Sequence, residues 1–259
     1  MPDATPEFTP HYIEFRNVSK AFGEKVILDD ISFHVDAGET LAILGRSGVG
    51  KSVSLGHIMG FLKPDAGRVF VAHHEITNAA ERELLEVRKQ VTMVFQSGAL
   101  FDSLTVGENV GFPLEERAEL SDSDREQIVD GMLDLLEISN FKDMMPASLS
   151  TGMKRAVSIA RALAAKPEAI LYDEPTTMVD PLMSGHVGDL MRKLKAQLHL
   201  TSVVVTHDMA LARKVADRVV FLHKARAAYF GPMASIREDA QPFIREFMDL
   251  DEMPRSSAP

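Results

Sequence analysis

The residues best suited to chemistry lie in one glycine-rich loop. Residues 45–52 read Gly-Arg-Ser-Gly-Val-Gly-Lys-Ser and fit the pattern G-x-x-x-x-G-K-[ST]. The glycines let the backbone curl so that successive N–H groups point at one anion, and the start of the following helix adds partial positive charge. We expect Lys51 to reach the β- and γ-phosphates of a nucleotide and the Ser52 hydroxyl to bind Mg²⁺. A loop that merely joined a strand to a helix would not need this Lys-Ser pair. The candidate nucleotide-binding residues are Gly45, Arg46, Ser47, Gly48, Val49, Gly50, Lys51 and Ser52.

An acidic pair further along the chain could complete a hydrolytic site. The apolar residues 170–172 read as a buried strand that ends at Asp173 and Glu174. Asp173 would hold Mg²⁺, directly or through water, and Glu174 would polarise an attacking water as a general base. Alone, the pair fits an ordinary acidic strand end. The glycine-rich loop upstream favours the catalytic interpretation.

Two further polar residues stand where an element begins or ends. His207 ends the apolar strand 203–206, and polar side chains at the carboxyl edge of a parallel sheet point into the ligand site of such folds. It could contact a γ-phosphate, although a single histidine also fits a structural role. Ser150 precedes a helical segment and is a plausible N-cap.

The elements that must position these residues alternate along the chain. Strands are predicted at 12–18, 41–44, 68–71, 91–95, 169–172, 202–205 and 218–222, with a pair of short strands in 26–35. Helices are predicted from Ser52 onward, at 185–198 and at 239–250. Residues 107–161 show only helical patterns, most clearly in 121–138. The sequence therefore predicts one α/β domain with a mostly parallel sheet and a helical insertion.

Composition limits the classes of function. The 259 residues carry a formal net charge of −10, which argues against a nucleic-acid partner and against adsorption to anionic lipid, although the same charge also fits plain solubility. The chain has no cysteine, so thiolate chemistry and Cys-based zinc sites are excluded. No apolar run reaches the ~18 residues of a membrane span, and residues 1–10 do not resemble a signal peptide. We expect a soluble, cytoplasmic chain whose membrane role depends on a partner.

Taken in order, the motifs resemble those of the ATP-binding cassette (ABC) ATPases, and the likeness covers nearly the whole chain. Residues 45–52 look like Walker A, Gln96 like the Q-loop, and residues 149–153 like the signature usually written LSGGQ. Asp173 and Glu174 match Walker B with its catalytic Glu, and residues 177–180 resemble the D-loop. His207 looks like the switch histidine, and Phe22 stands where an A-loop aromatic stacks on adenine.

The resemblance implies a fold and a division of roles. The fold is a P-loop NTPase with a RecA-like, mostly parallel sheet, an N-terminal antiparallel β subdomain and an inserted α-helical subdomain. Residues 11–96 and 162–230 would form the α/β core with the β subdomain, residues 97–161 the helical subdomain, and residues 231–259 a C-terminal helix and tail of a single domain, 1–259. The implied cofactors are ATP and Mg²⁺. The implied catalytic residues are Glu174, His207, Gln96 and Lys51, and the implied metal ligands are Ser52, Gln96 and Asp173.

In this family two copies face head to tail, and ATP lies between Walker A of one copy and the signature of the other. Ser150 and Gly152 would therefore act in trans, and Asp180 would cross the interface. Two departures stand out. Thr151 replaces a glycine of the signature, which would strain the backbone if that position needed a positive φ. His73 stands where relatives often have a turn glycine, and we expect His73 and His74 to be exposed turn residues rather than metal ligands.

Residues 95–110 give a finer resemblance, to the ATPase of the Mla (maintenance of lipid asymmetry) or MCE-associated lipid transporters. The implied partners are a second copy, a multi-pass permease, an MCE-domain lipid-binding protein and, in some systems, a small STAS-domain protein. The implied cargo is phospholipid, and the implied location is the cytoplasmic face of the inner membrane. Leu100, Phe101, Leu104, Val106 and Phe112 could line a groove for a permease helix or belong to the core.

Other functions stay open at this point. The chain could be an ABC importer ATPase for another solute, such as an amino acid or ion. A non-transport ABC protein acting on nucleic acid or ribosomes often carries two cassettes or a basic linker, whereas this chain has one cassette and a net charge of −10. A pure nucleotide-binding scaffold would not need Asp173, Glu174 and His207 together.

Overall fold

A six-stranded sheet forms the centre of the molecule. The computed structural model describes residues 9–252 except residues 97, 116, 118, 180 and 240. The strands are β3 (Thr40–Leu44), β6 (Val91–Val94), β7 (Ala169–Asp173), β8 (Thr201–Thr206), β9 (Arg218–His223) and β10 (Arg226–Pro232). Their order is β10-β9-β3-β8-β7-β6, and every neighbouring pair except β10–β9 is parallel. β3 and β8 are buried throughout, as expected for parallel strands covered on both faces. The predicted mostly parallel sheet is confirmed.

A second, antiparallel sheet belongs to the N-terminal part of the chain. It contains β1 (Ile13–Phe22), β2 (Lys25–Val35), β4 (Ala66–Val71) and β5 (His74–Glu75), in the order β2-β1-β4-β5. One apolar cluster joins its buried side chains, among them Phe15 and Phe33, to those of β3, β8 and the helix after β3. This cluster fixes the second sheet beside the glycine-rich loop.

The helices divide between the sheets and the insertion. Three helices follow strands of the central sheet: α1 (Lys51–Ile58) follows β3, α6 (Pro181–Leu198) follows β7 and α7 (Met209–Val215) follows β8. Helix α2 (Glu81–Gln90) precedes β6. Helices α3 (Val106–Gly111), α4 (Asp122–Leu135) and α5 (Thr151–Ala164) lie between β6 and β7 and contact one another. This is the predicted helical insertion. Helices α8 (Ile236–Asp239) and α9 (Pro242–Glu252) follow the last strand.

Several element predictions are wrong in detail. Residues 25–35 form one strand rather than two, because Asp30 takes a left-handed backbone (φ 57°) and the ladder to β1 shifts register without ending. Residues 239–250 do not form one helix: α8 ends at Asp239 and α9 begins at Pro242, since proline fits the first turn of a helix but not its interior. Helix α2 and strand β10 were not predicted.

A buried asparagine holds the start of the helical insertion. Asn109 is 0% exposed, and its Oδ1 accepts a hydrogen bond of 2.8 Å from the Phe101 N–H. Its Nδ2 lies 3.0 Å from the carbonyl oxygens of Phe101, Leu104 and Thr105. One side chain thus satisfies buried backbone groups of the loop before α3.

Replacing Asn109 with Ala should lower the free energy of unfolding by about 1–3 kcal/mol, because buried backbone groups lose their partners. Urea unfolding followed by circular dichroism measures the change. Asn78→Ala, at an exposed turn position, is the matched control and should have little effect. Equal unfolding midpoints for the two variants would contradict the anchoring role.

Candidate active site

The glycine-rich loop connects β3 to α1 and depends on glycine at two positions. Gly45 has φ 148°, and a Cβ there would lie 2.5 Å from the Leu222 carbonyl oxygen. Gly50 has φ 110°, and a Cβ would lie 2.9 Å from the Ile27 carbonyl oxygen. Any side chain at these positions would collide with the backbone, so only glycine permits this loop conformation.

Lys51 begins α1 and lies beneath the loop. Its side chain is 6% exposed, and Nζ donates to the Gly45 carbonyl at 2.9 Å and lies 3.4 Å from the Arg46 carbonyl. The same Nζ is 3.2 Å from Oε1 of Glu174. A buried ammonium is thus held by two loop carbonyls and one carboxylate, which compensates its loss of hydration.

Ser52 and Asp173 form the second contact between α1 and β7. The Ser52 hydroxyl donates to Oδ1 of Asp173 at 3.0 Å. Burial raises the pKa of the Asp173 carboxyl, and the nearby Glu174 charge acts in the same direction. Hydroxyl and carboxylate oxygens are the hard ligands that Mg²⁺ prefers. A cation here would also favour the ionised carboxylate that burial disfavours, so these two residues fit a Mg²⁺ site.

Glu174 contacts His207 and Thr177 in addition to Lys51. Its Oε2 lies 2.8 Å from Nδ1 of His207, and the Thr177 hydroxyl donates to it at 3.4 Å. The backbone of Glu174 is left-handed (φ 47°), and its N–H donates to the Val205 carbonyl at 2.8 Å. A non-glycine residue in this conformation is uncommon, and such conformations cluster at functional sites.

A cavity of about 450 Å³, here called the Lys51 cavity, brings most of these residues together. Among the predicted site residues, those that line it are Phe22, Ser47, Gly48, Gly50, Lys51, Ser52, Gln96, Glu174 and His207. Ile27, Val53 and Thr177 also line it and were not predicted as binding residues. Ile27 and Val53 are apolar and carry no motif, and Thr177 entered only as the first residue of the D-loop resemblance. Arg46 is exposed and Val49 half-buried, and neither of these two described residues lines the cavity.

The signature segment lies elsewhere. Ser150 caps α5, with its Oγ accepting from the Met153 N–H at 3.3 Å, as predicted. Thr151 is the first residue of α5 and has a helical backbone, so the expected strain at this position is absent. Ser150 and Gly152, both described residues, do not line the Lys51 cavity; Gly152 lines a separate cavity between α4, α5 and α6. Asp180 lies outside the described residues.

The apolar set after Gln96 divides between surface and core. Phe101 and Phe112 are each 41% exposed, with ring centroids 4.5 Å apart. They line a groove of about 920 Å³, here called the Phe101 groove, together with Phe95 and Arg161. Val106 belongs to the core, contrary to the groove interpretation, and Leu100 and Leu104 are half-buried.

The two adjacent histidines have different environments. His74 is exposed, but His73 is half-buried and its Nδ1 lies 3.1 Å from the Thr9 carbonyl, so the expectation that both are exposed is wrong for His73. Its φ of 68° shows why a glycine would also suit this turn. Neither belongs to the one three-residue group of possible metal ligands found among the described residues, His11, His34 and Asp36.

That group does not have the geometry of a metal site. The rings of His11 and His34 are stacked, with centroids 3.8 Å apart and planes 23° apart. Lone pairs in nearly parallel planes do not converge on one ion. Nη1 of Arg218 also lies 2.8 Å from Nε2 of His34.

Within residues 9–252, leaving aside the undescribed positions, no helix combines the length and apolar character that crossing a membrane requires.

The comparisons with known proteins agree with the site. A family model described as ABC transporter matches residues 28–177. A probable ribonucleotide transport ATP-binding protein of Mycobacterium leprae is 33% identical over 92% of this chain and 68% of its own length. An intermembrane phospholipid transport system ATP-binding protein of Haemophilus influenzae is 39% identical over 79% of this chain and 78% of its own length. Other relatives carry the names of sulfate/thiosulfate and methionine import proteins.

Solved structures show the same fold. A dimeric ATP-binding cassette in a post-hydrolysis state, bound to ADP and Pi, superposes with a TM-score of 0.77 and 32% identity over 85% of this chain and 98% of that one. The P-loop NTPase cassette fold predicted from the sequence is confirmed. The chain therefore belongs to the ABC transporter family and is an ATPase of the ATP-binding cassette type.

Proposed function

We propose that two copies of this chain form a head-to-tail dimer around two Mg-ATP and drive phospholipid transport through a membrane permease. One observation supports the proposed dimer more than any other. The Lys51 cavity gathers Lys51, Gln96, Glu174 and His207, whereas the Ser150 end of α5 lies outside it. The helix start at Ser150 is an anion site by its backbone N–H groups and dipole. It would meet a phosphate held by the second copy. In support of a dimer, the solved relative that is bound to ADP and Pi is itself dimeric.

The residues of the Lys51 cavity have complementary roles in ATP hydrolysis. The N–H groups of the loop 45–50 and the Lys51 ammonium would bind the phosphates. Phe22, which lines the cavity, would stack on adenine. Ser52, Asp173 and Gln96 would hold Mg²⁺, which neutralises charge on the phosphates when bound.

Glu174 accepts the proton of the attacking water, and its contact with His207 keeps the carboxylate turned toward the cavity. Ser150, Gly152 and Asp180 of the second copy would close the site.

The Phe101 groove supports a permease partner. The exposed rings of Phe101 and Phe112 form a surface against which an amphipathic helix could pack. The resemblance of residues 95–110 and the 39% identity to a phospholipid transport ATPase favour a lipid cargo. On this proposal the chain is peripheral at the cytoplasmic face of the inner membrane, with a permease, an MCE-domain protein and, in some systems, a STAS-domain protein. The names of the other relatives keep an importer of another solute as the second candidate.

Glu174→Gln should keep ATP binding and reduce ATP turnover about a hundredfold or more, because the general base is lost while the shape of the side chain is retained. Phosphate release and binding of a fluorescent ATP analogue measure the two quantities. Glu126→Gln, which alters an exposed ion pair with Lys142, is the matched control. Undiminished turnover in Glu174→Gln would remove this residue as the base.

The absence of native cysteine allows a clean test of the head-to-tail dimer. A Ser47→Cys chain mixed with a Ser150→Cys chain, both carrying Glu174→Gln, should form a disulfide-linked dimer when ATP is present, because residue 47 of one copy then faces residue 150 of the other. Non-reducing electrophoresis detects the product. Each single variant alone is the control. If the mixture forms no more covalent dimer than the two single-variant samples do, the head-to-tail orientation is contradicted.

Phe101→Asp should remove the chain from the membrane complex, because the exposed ring that would pack against a permease helix is lost. Retention of the chain on membranes that contain the permease measures the effect. Phe61→Asp, at another exposed phenylalanine outside the groove, is the matched control and should leave retention unchanged. Equal retention of both variants would exclude the Phe101 groove as the docking surface.

The cargo needs its own measurement. The wild-type complex, reconstituted in phosphatidylcholine–phosphatidylglycerol vesicles, should move a fluorescent phospholipid when ATP is supplied, and the complex with Glu174→Gln should not. ATP-dependent accumulation of methionine or a ribonucleotide, without lipid movement, would favour the second candidate.

A further inference from the structure

Helix α5 holds the loop around Gln96 by three side chains spaced three residues apart. Arg155 donates from Nη1 to the Phe95 carbonyl at 2.5 Å and from Nη2 to the Gln96 carbonyl at 2.6 Å. Ser158 donates to the Gly98 carbonyl at 2.8 Å. Arg161 donates to the carbonyls of Ala99 and Gly98 at 2.8 and 3.1 Å. One face of α5 therefore binds the backbone carbonyls of this loop through hydrogen bonds.

Arg155 differs from an ordinary packing residue. Its side chain is 3% exposed, and among the described residues no carboxylate lies within ion-pair distance and Nε has no hydrogen-bond partner. Burial lowers the pKa of its guanidinium. Burying a cation without a carboxylate is costly, and an apolar side chain of similar size would fill the space more cheaply. What compensates this cost is two short hydrogen bonds from Arg155 to the Gln96 segment, defined here as Phe95, Gln96 and Gly98.

The loop and the helix are also in close contact. Gly98 has φ 77°, and a Cβ there would lie 2.8 Å from the Ser158 hydroxyl. Packed interiors switch between discrete arrangements rather than deform continuously. Phe95, Gln96 and Gly98 are therefore expected to move together with α5 rather than slide past it.

The two ends of this unit face different surroundings. Gln96 lines the Lys51 cavity of its own chain. Ser150 caps α5 five residues before Arg155, about 7–8 Å along the helix axis. In the head-to-tail dimer of the proposed function, Gln96 and Ser150 of one chain would contact different nucleotides.

We propose that Arg155 is the positioning residue that couples the two ATP sites, by fixing the Gln96 segment to the helix that presents Ser150 to the second site. The inference rests on the proposed dimer. When ATP binds at one site, it displaces Gln96. The Arg155 guanidinium transmits this displacement to α5, and Ser150 then moves toward the other nucleotide. Because coupling between binding sites is reciprocal, the second nucleotide favours the same displacement of Gln96 in the first site.

Arg155→Met in the full-length chain tests this role, since methionine keeps the apolar stem without the two donors. We expect the Hill coefficient of ATP hydrolysis to fall toward one. The ATP concentration at half-maximal rate should rise about fivefold, the lower end of usual coupling between sites, with a smaller change in kcat. Arg155→Lys, which keeps the charge and can reach one carbonyl, should restore part of the cooperativity.

Two controls separate positioning from stability. Arg125→Met removes an arginine that bonds the Arg117 carbonyl within the helical insertion, away from Gln96, and should leave the Hill coefficient unchanged. In a double-mutant cycle, adding Arg155→Met to Gln96→Ala should change the ATP dependence no further, because Arg155 acts through the Gln96 segment. Urea unfolding of each variant accounts for any loss of folded protein.

Three results would overturn the proposal. The Hill coefficient of Arg155→Met could equal that of the unmodified chain, the unmodified chain could itself have a Hill coefficient of one, or the effects in the cycle could be additive. The crosslinking of Ser47→Cys with Ser150→Cys distinguishes the two levels. If that product forms and the cycle is additive, Arg155 has no coupling role although the dimer exists. If the product does not form, the dimer itself fails, and the coupling proposal fails with it.

Discussion

The ion pair between Lys51 and Glu174, 3.2 Å apart and nearly buried, is the contact on which the rest of the site depends. An isolated buried ammonium would lose its proton or destabilise the fold. The pair requires the end of β7 to lie over the start of α1, although the two segments are far apart in sequence. The Glu174 N–H bond to Val205 fixes this approach through β8. The ion pair therefore forms only when β3, β7 and β8 are in register.

The strand order supplies that register. β8 lies between β3 and β7, with Leu44 opposite Thr206 and Asp173 opposite Val205. Three strand ends meet at one edge of the sheet because all three strands are parallel. Lys51 of the helix after β3, Glu174 after β7 and His207 after β8 are thereby brought to one cavity. Asp173, the last residue of β7, contacts Ser52 of the same helix. Topology, rather than any local motif, converts separate sequence signals into one site.

The sequence predicts what local chemistry determines. The loop 45–52, the Ser150 cap and the buried strands follow from residue type and spacing, and each is present. Contacts between distant segments could not be predicted in this way. Nothing near Arg155 in sequence indicates that its guanidinium binds the carbonyls of residues 95 and 96. Asn109 looks like a surface residue until the loop before it folds over its amide. Thr151 raised an expectation of strain that the helical backbone removes, since the first turn of a helix accepts β-branched residues.

The overall charge gives a different kind of information from the site. A net charge of −10 opposes binding to an extended polyanion, which needs many cations on one surface. A single nucleotide needs only a few contacts at hydrogen-bond distance, and salt screens charges beyond about 8 Å. Lys51 and the loop N–H groups act well within that distance, so the acidic surface does not prevent phosphate binding at the Lys51 cavity. The same reasoning applies to Ser150: a helix start acts within its first turn, so the proposed composite site requires the nucleotide of the second copy to lie directly against the start of α5.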